Sequence, residues 1–212
     1  MIRLHGYFRS SAAWRCRIAL NLKGMPWESV PVSLRAGQQH EAGFAALNPQ
    51  RLVPALETDS GVLTQSLAII EWLDETCPTP PLLPASALDR AHVRAFALAI
   101  ACDIHPLQNL RVLDHLRNRC GLDEPRIEAW LQRWIGEGLS ACNRLLQSRP
   151  PSRFCFGDRP GLADICLVPQ IASAKRFGVD LSGLPRLLSI ANACAEFEEF
   201  AAAVPSRQSD AI

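Results

Sequence analysis

Along residues 1–82 the apolar positions alternate between two periods. Ile2 to Gly6 alternates apolar and polar side chains, as a half-buried strand does. Ser10 and Ser11 then precede a run in which Trp14, Ile18 and Leu22 recur at helical spacing, and Gly24 marks its end. Trp27 to Val32 is β-branched and aromatic with alternation, which predicts a second strand. Residues 52–58 and 62–64 flank Asp59-Ser60-Gly61, a hairpin signal. Ser66 is the predicted cap of a further helix carried by Leu67, Ile70 and Leu73 to Cys77, where Pro78 stops it. Only the stretch containing Ala42 to Leu47 lacks a clear period. The order β-α-β followed by β-β-α implies a small mixed sheet with helices on both faces.

The segment 78–84 holds four prolines in seven residues (Pro78, Pro80, Pro81, Pro84) and predicts a stiff linker. Beyond it no segment has a strand pattern. Residues 88–116, 125–147, 162–177 and 184–200 each carry helical periodicity. The expected organisation is an α/β domain over 1–82 and an all-α domain over 85–212. Residues 205–212 are expected to fray.

Composition narrows the function classes. With 48% hydrophobic residues the chain can build its core without disulfides. Its 22 basic and 21 acidic side chains leave a net charge of +1, so neither a nucleic-acid face nor an acidic tail is expected. No apolar run approaches the roughly 20 residues that span a bilayer, so no membrane role is expected. The N-terminus lacks the apolar core of a signal peptide, and a cytoplasmic location is expected. The eight cysteines show no C-x-x-C spacing and no histidine pair stands at zinc-ligand spacing, so no metal is expected. Most of these thiols are read as small buried hydrophobes.

Three features of the first domain carry chemistry. Arg9-Ser10-Ser11 stands at a helix start, where N–H groups, the helix dipole and a hydroxyl stabilise negative charge and would lower the pKa of a bound thiol. Val53-Pro54 leads into a strand and is a candidate cis bond that could offer the Val53 backbone to an extended peptide. Gln65-Ser66 opens the next helix and could hold a carboxylate. Taken singly, each is equally a plain cap or an ordinary proline.

Their order is specific, and here the chain resembles the glutathione transferase superfamily, in particular its zeta class of maleylacetoacetate and maleylpyruvate isomerases. The residues are Tyr7-Phe8-Arg9-Ser10-Ser11, then Trp14 to Leu20, Ala46-Leu47-Asn48-Pro49, Val53-Pro54-Ala55-Leu56 and Gln65 to Leu73. In the second domain they are Asp103-Ile104-His105-Pro106-Leu107-Gln108-Asn109, Leu162 to Gln170 and Arg176 to Leu181. The resemblance covers nearly the whole chain. It implies a thioredoxin-like domain that holds glutathione, an all-helical domain that shapes the substrate pocket, and a homodimer.

The resemblance also implies roles. Ser11, with Ser10 beside it, would donate to the glutathione sulfur. Val53 would pair with the cysteinyl backbone, Gln65 and Ser66 would hold the γ-glutamyl carboxylate, and Gln39 would reach the glycyl end. Arg9 and Arg176 would hold the carboxylates of a maleyl dicarboxylate during cis–trans isomerisation. His105, with Gln108 and Asn109, would orient glutathione or polarise the substrate's keto oxygen, or else His105 would merely pair with Asp103. Arg15 and Arg17 are expected in structural ion pairs, although either could shape the pocket entrance.

The sequence departs from the zeta pattern twice. Ala12 replaces the usual cysteine after the serine pair, which removes a protein thiol but leaves isomerisation by the glutathione thiol intact. Gly161 replaces the usual hydroxyl residue of a capping box ending at Asp164, a tolerable N-cap. Two rival functions remain at this level: general glutathione conjugation of apolar electrophiles, and a non-catalytic glutathione-binding protein. The sequence does not separate maleylacetoacetate from maleylpyruvate.

Overall fold

A computed structural model describes residues 1–211. Two compact units are formed, one of Met1–Leu82 together with residues from Ala195 onward, the other of Leu83–Cys194. In the first unit β1 (Ile2–Gly6), β2 (Trp27–Pro31), β3 (Ala55–Thr58) and β4 (Gly61–Thr64) form one sheet in the order β2-β1-β3-β4. β1 and β2 are parallel, and the other two pairings are antiparallel. This is the small mixed sheet that the element order implied.

Helices α1 (Ser11–Leu22), α2 (Ala42–Leu47) and α3 (Ser66–Thr76) accompany it. Strand alternation divides them between the two faces. Leu4 lies opposite Leu56 in register, both buried, and Gly6 shares the Leu4 side. A Cβ on Gly6 would stand 3.1 Å from the Ala13 Cβ, so this face packs closely under α1. On the other face Ala55 clusters with Val32 and Phe44, against Leu47, Val53 and Val62. α2, the stretch without a clear sequence period, owes its position to that cluster.

α1 and α3 run side by side in the same direction. At their leading ends Arg15 Nη1 donates to Ser66 Oγ over 3.4 Å, and Cys16 Sγ lies 3.9 Å from the Ser66 carbonyl oxygen. At their trailing ends Lys23 Nζ donates to Asp74 Oδ1 at 2.7 Å and to the Pro80 carbonyl at 2.5 Å. Lys23 is thus a buried cation with a carboxylate partner, the arrangement that burial requires.

The second unit is helical: α4 (Ala87–Leu98), α5 (Leu110–Asn118), α6 (Glu124–Gln147), α7 (Leu162–Arg176) and α8 (Pro185–Ala195). The single period over 88–116 is broken in the structure. After α4 come a π-helical segment, Ala99–Ile104, and a 3-10 turn, His105–Gln108. Pro106 lacks the N–H that would continue the ladder, and Asn109 turns extended and caps α5 by accepting from Arg111 N at 3.2 Å. At the start of α7 the Asp164 carboxylate accepts from Gly161 N and Cys155 N, both at 2.9 Å. It forms the half of the capping box that does not depend on a hydroxyl at position 161, and it joins the preceding loop to the helix. Burial raises the pKa of Asp164, and these backbone N–H groups oppose the shift.

The C-terminal segment differs most from expectation. The period over 184–200 is split, with α8 followed by the short α9 (Glu198–Ala201). Residues 195–211 group with the first unit, whereas the sequence placed them with the helical domain; of the eight residues expected to fray, 205–211 are described and Ile212 lies outside the described residues. Asn21 Nδ2 donates to the Glu199 carbonyl at 2.9 Å, and Gln208 Nε2 donates to the carbonyls of Ala202 and Val204, each at 2.9 Å. Phe200 and Ala203 are buried as well, but two apolar side chains three residues apart are too few to set a period.

Five cysteines are buried: Cys16, Cys142, Cys155, Cys166 and Cys194. Burial pushes the Cys142 thiol up to about 12 and raises Cys155 and Cys194 as well, which makes these three poor nucleophiles.

In the helical unit, a Cβ at Gly138 would overlap the Ile104 side chain, whereas one at Gly136 would meet Val179 at 3.9 Å. Gly138→Ala should therefore lose about 1–3 kcal/mol in urea unfolding through overpacking. Gly136→Ala should lose nothing, and equal effects would contradict the close approach of α6 to the π-helical segment.

Candidate active site

The sheet register gathers the sequence-predicted residues of the first unit at one edge. β1 ends at Gly6, beside the end of parallel β2 at Pro31. Antiparallel β3 begins at Ala55, opposite His5, and Thr64 at the end of β4 lies opposite Ala55. The chain that follows β1 (Tyr7 to Ser11), follows β2 (Val32 to His40), precedes β3 (Val53-Pro54) and follows β4 (Gln65-Ser66) therefore emerges at the same edge.

The first of these is a turn closed by Ser10 N donating to Tyr7 O at 2.9 Å. Ser10 is the N-cap of α1, in extended geometry, and its Oγ accepts from Ala13 N at 3.2 Å. Its hydroxyl proton is not used by that bond. Ser11 is the first helical residue and is buried; the first turn of α1 holds no acidic side chain. N–H groups and the positive end of the dipole thus meet at Ser11 without an internal counter-charge. Arg9 is exposed, its guanidinium 6.0 Å from the Phe8 ring centroid.

Val53–Pro54 is cis, as the sequence suggested. Val53 is half-buried at the margin of the α2 cluster. The helix start at α3 differs from expectation: Gln65, not Ser66, occupies the cap position, and Ser66 is the first helical residue. Gln65 has φ 69° and ψ 114°, a conformation costly for any side-chain-bearing residue. Its side chain makes no cap bond and donates instead from Nε2 to Gln50 Oε1 at 2.9 Å. Ser66 is buried beneath it. Gln39 lies in a 3-10 turn after β2 (Gln38–His40), buried, with Oε1 lacking a partner.

Sequence reasoning underrated Arg15. It is 1% exposed, it bonds Ser66 through Nη1, and its Nε and Nη2 have no hydrogen-bond partner. Among the described residues Arg15 has no ion-pair partner, so a buried guanidinium bonded only to Ser66 lies behind the start of α3. Arg17 is also buried and bonds two carbonyls, those of Phe8 and Ala203. The available signal was position: both arginines fall inside a helix whose other residues from Ala13 to Leu20 are all buried. An arginine there must serve something specific.

These features suit an extended, anionic, peptide-like ligand such as glutathione. Two aligned helix N-termini attract negative groups, the strand edge before β3 offers backbone, and Gln39 and Arg15 bring polar groups whose hydrogen-bonding capacity is unfilled.

In the helical unit, Arg176 ends α7 and is exposed, its guanidinium 4.5 Å from the Phe177 ring centroid. His105 opens the 3-10 turn, half-buried. Gln108 is buried, and its amide pairs with that of Gln170 at 2.9 and 3.2 Å. The Asn109 side chain caps α5. Gln108 and Asn109 thus have structural tasks within their own unit that the sequence did not suggest.

Comparison with known proteins gives a consistent family. Residues 9–76 match the model of the glutathione S-transferase N-terminal domain, and residues 60–197 match that of the C-terminal domain. A maleylpyruvate isomerase of Ralstonia sp. is 49% identical over 210 residues, 99% of both chains. Among solved structures, a maleylpyruvate isomerase described as a bacterial zeta-class glutathione S-transferase superposes with a TM-score of 0.97 and 49% identity, covering 99% of this chain and 100% of that one. A maleylacetoacetate isomerase of Anaeromyxobacter dehalogenans, with glutathione bound in its active site, superposes with a TM-score of 0.90 and 42% identity over 100% and 98% of the two chains.

Ser10→Ala should lower stability by about 1 kcal/mol, because Ala13 N loses its cap acceptor, while Ser10→Asp should keep that stability. Thermal unfolding of the three proteins checks this, and an unchanged Ser10→Ala would show that the cap bond contributes nothing.

Proposed function

This chain belongs to the zeta class of the glutathione S-transferase family, and from that membership we propose that it is a glutathione-dependent cis–trans isomerase of a maleyl diketo acid, maleylacetoacetate or maleylpyruvate. The observation that carries the reading is the single sheet edge at which the segments bearing Ser11, Val53 and Ser66 emerge, with the N-termini of α1 and α3 aligned. Bound glutathione supplies a thiolate whose reversible addition to the conjugated double bond allows rotation from cis to trans.

In this reading the residues of the chain bind, orient and stabilise charge. The Ser11 hydroxyl donates to the sulfur, assisted by the α1 N-terminus, and Ser10 adds its unused hydroxyl proton. The Val53 backbone aligns the cysteinyl residue as an added strand does. Gln65 and Ser66 hold the γ-glutamyl carboxylate at the start of α3, with the buried Arg15 charge behind it. Gln39 reaches the glycyl end. Arg9 and Arg176 hold substrate carboxylates through the planar fork that pairs with them in bidentate fashion, and His105 polarises the keto oxygen. Gln108 and Asn109 act indirectly, by fixing the turn that carries His105. Ala12 leaves no cysteine beside Ser11, so the reacting sulfur belongs to glutathione. The working form is taken to be a homodimer in the cytoplasm.

Turnover of maleylacetone with glutathione, compared with conjugation of chlorodinitrobenzene, tests the function. Isomerisation should dominate; isomerisation no faster than glutathione alone would overturn the reading. Ser11→Ala should lower kcat by about 10²-fold or more, the usual effect of losing one donor to a developing or bound anion. Arg176→Ala should raise the Michaelis constant for substrate and leave that for glutathione unchanged. If both constants stayed put, the assignment of Arg176 would fail.

A further inference from the structure

Phe8 lies inside the turn that leads to Ser10, and its two backbone polar groups are served from elsewhere. The turn's own hydrogen bond joins Ser10 to Tyr7, and the sheet stops at Gly6, whose carbonyl accepts from Val32 N at 2.7 Å. The Phe8 N–H donates to Asp210 Oδ2 at 2.9 Å, across 202 residues of sequence. The Phe8 carbonyl accepts from Arg17 Nη2 at 2.9 Å, and Arg17 Nε donates to the Ala203 carbonyl at 3.0 Å. Arg17 is 3% exposed; burial lowers its pKa to about 10, and the nearby Asp210 charge opposes that shift. A guanidinium on α1 and a carboxylate on the C-terminal segment thus hold Phe8 from its two sides. Their charges offset one another, so they add order to the turn without adding net charge next to an anion site.

The segment that provides Asp210 is itself anchored. Arg207 pairs with Glu198 at 2.6 Å, Gln208 bonds two carbonyls of its own segment, and Asn21 of α1 bonds Glu199. A bond to a carboxylate is shorter and stronger than a neutral one; Asp210 fixes the Tyr7–Phe8 peptide, whose carbonyl accepts from Ser10 N, and Arg17 fixes the next peptide, Phe8–Arg9. The two fixed peptides flank Phe8 and reach Ser10 through the Tyr7 carbonyl and through Arg9, so they constrain the turn that delivers Ser10 and Ser11.

We propose that the C-terminal segment is a strap for the thiol site, and that Asp210 and Arg17 are positioning residues for the isomerisation, acting on Ser10 and Ser11 through the two peptides that flank Phe8. This rests on the reading of Ser11 as the thiolate donor. The strap works by orientation: it lets the first turn of α1 meet the sulfur in one geometry, as catalysis by preorganised donors requires.

The test compares full-length wild type, Asp210→Ala, Asp210→Asn and Ser11→Ala, using glutathione and maleylacetone. Asp210→Ala should lower kcat about tenfold, a loss of transition-state stabilisation rather than of binding, and leave the Michaelis constant for maleylacetone within about twofold. The acid limb of its pH–kcat/KM profile should move up by about one pH unit as the thiol loses its donors. Asp210→Asn keeps an acceptor for Phe8 N and should recover most of the lost rate and the wild-type profile. A merely structural role would be overturning: it would leave the profile of Asp210→Ala in place, or make Asp210→Asn no better than Asp210→Ala. Ser11→Ala separates the two readings. An unchanged Ser11→Ala rejects the thiol-site assignment, whereas a damaged Ser11→Ala beside a wild-type-like Asp210→Ala rejects only the strap.

Discussion

The pairing register of β1 with β3 is the constraint on which the rest of the first unit depends. With Leu4 opposite Leu56 and His5 opposite Ala55, apolar side chains fall on the faces that α1 and α2 cover. A slip by one residue would put Leu4 and Leu56 on opposite faces, so burial of both fixes the register strongly. The same pairing brings the turn after β1 level with the residues before β3 and after β4. The site is therefore a by-product of core packing: once the leucines are buried, Ser11, Val53 and Ser66 can emerge only at one edge.

Parallel helices carry an electrostatic cost, because their positive ends lie together. α1 and α3 are held that way by Lys23 with Asp74 at one end and by Arg15 with Ser66 at the other. The first pair is compensated; the second adds a buried positive charge with two unpartnered nitrogens to an already positive region. Uncompensated burial of a cation is unfavourable for folding. Together with the left-handed Gln65, it concentrates strain and unmet charge at the start of α3. An anion at this edge relieves both aligned dipoles and the guanidinium, which gives the binding of a carboxylate and a thiolate a physical cause. Each helix dipole contributes about 0.3–1 kcal/mol at a surface.

The sequence was informative wherever a periodic pattern met a burial boundary. Strands β1 to β4, helices α1 and α3, the cis candidate at Val53-Pro54 and the positions of Ser10 and Ser11 all follow from alternation, helical spacing and turn residues, whereas the cap of α3 falls one residue earlier than the pattern placed it. What was illegible depended on partners far away in the chain. α2 has little period of its own and is shaped by Val32 and Ala55 across the sheet. The break at residues 99–109 results from Pro106 and the Asn109 cap overriding a continuous apolar stripe. Arg15 and Arg17 could be seen as odd in a buried helix, yet their partners, Ser66, Phe8 and Ala203, lie too far along the sequence to infer. The C-terminal segment is the plainest case: beyond the buried Phe200 and Ala203, Asp210 and Gln208 attach through polar groups to backbone and add no periodic apolar pattern.

The central claim is that the edge formed by α1 and α3 stabilises a bound thiolate. An ordinary cysteine thiol has a pKa of about 8.5. The α1 dipole and a hydroxyl donor to the charged sulfur, at about 2 kcal/mol together, would lower it by more than one unit, since one unit equals about 1.4 kcal/mol. Titrating the ultraviolet thiolate absorbance of glutathione bound to the wild-type protein measures that shift directly. A bound thiol ionising at or below about pH 7.5 is the predicted result. One that ionises no lower than free glutathione under the same conditions would contradict the account.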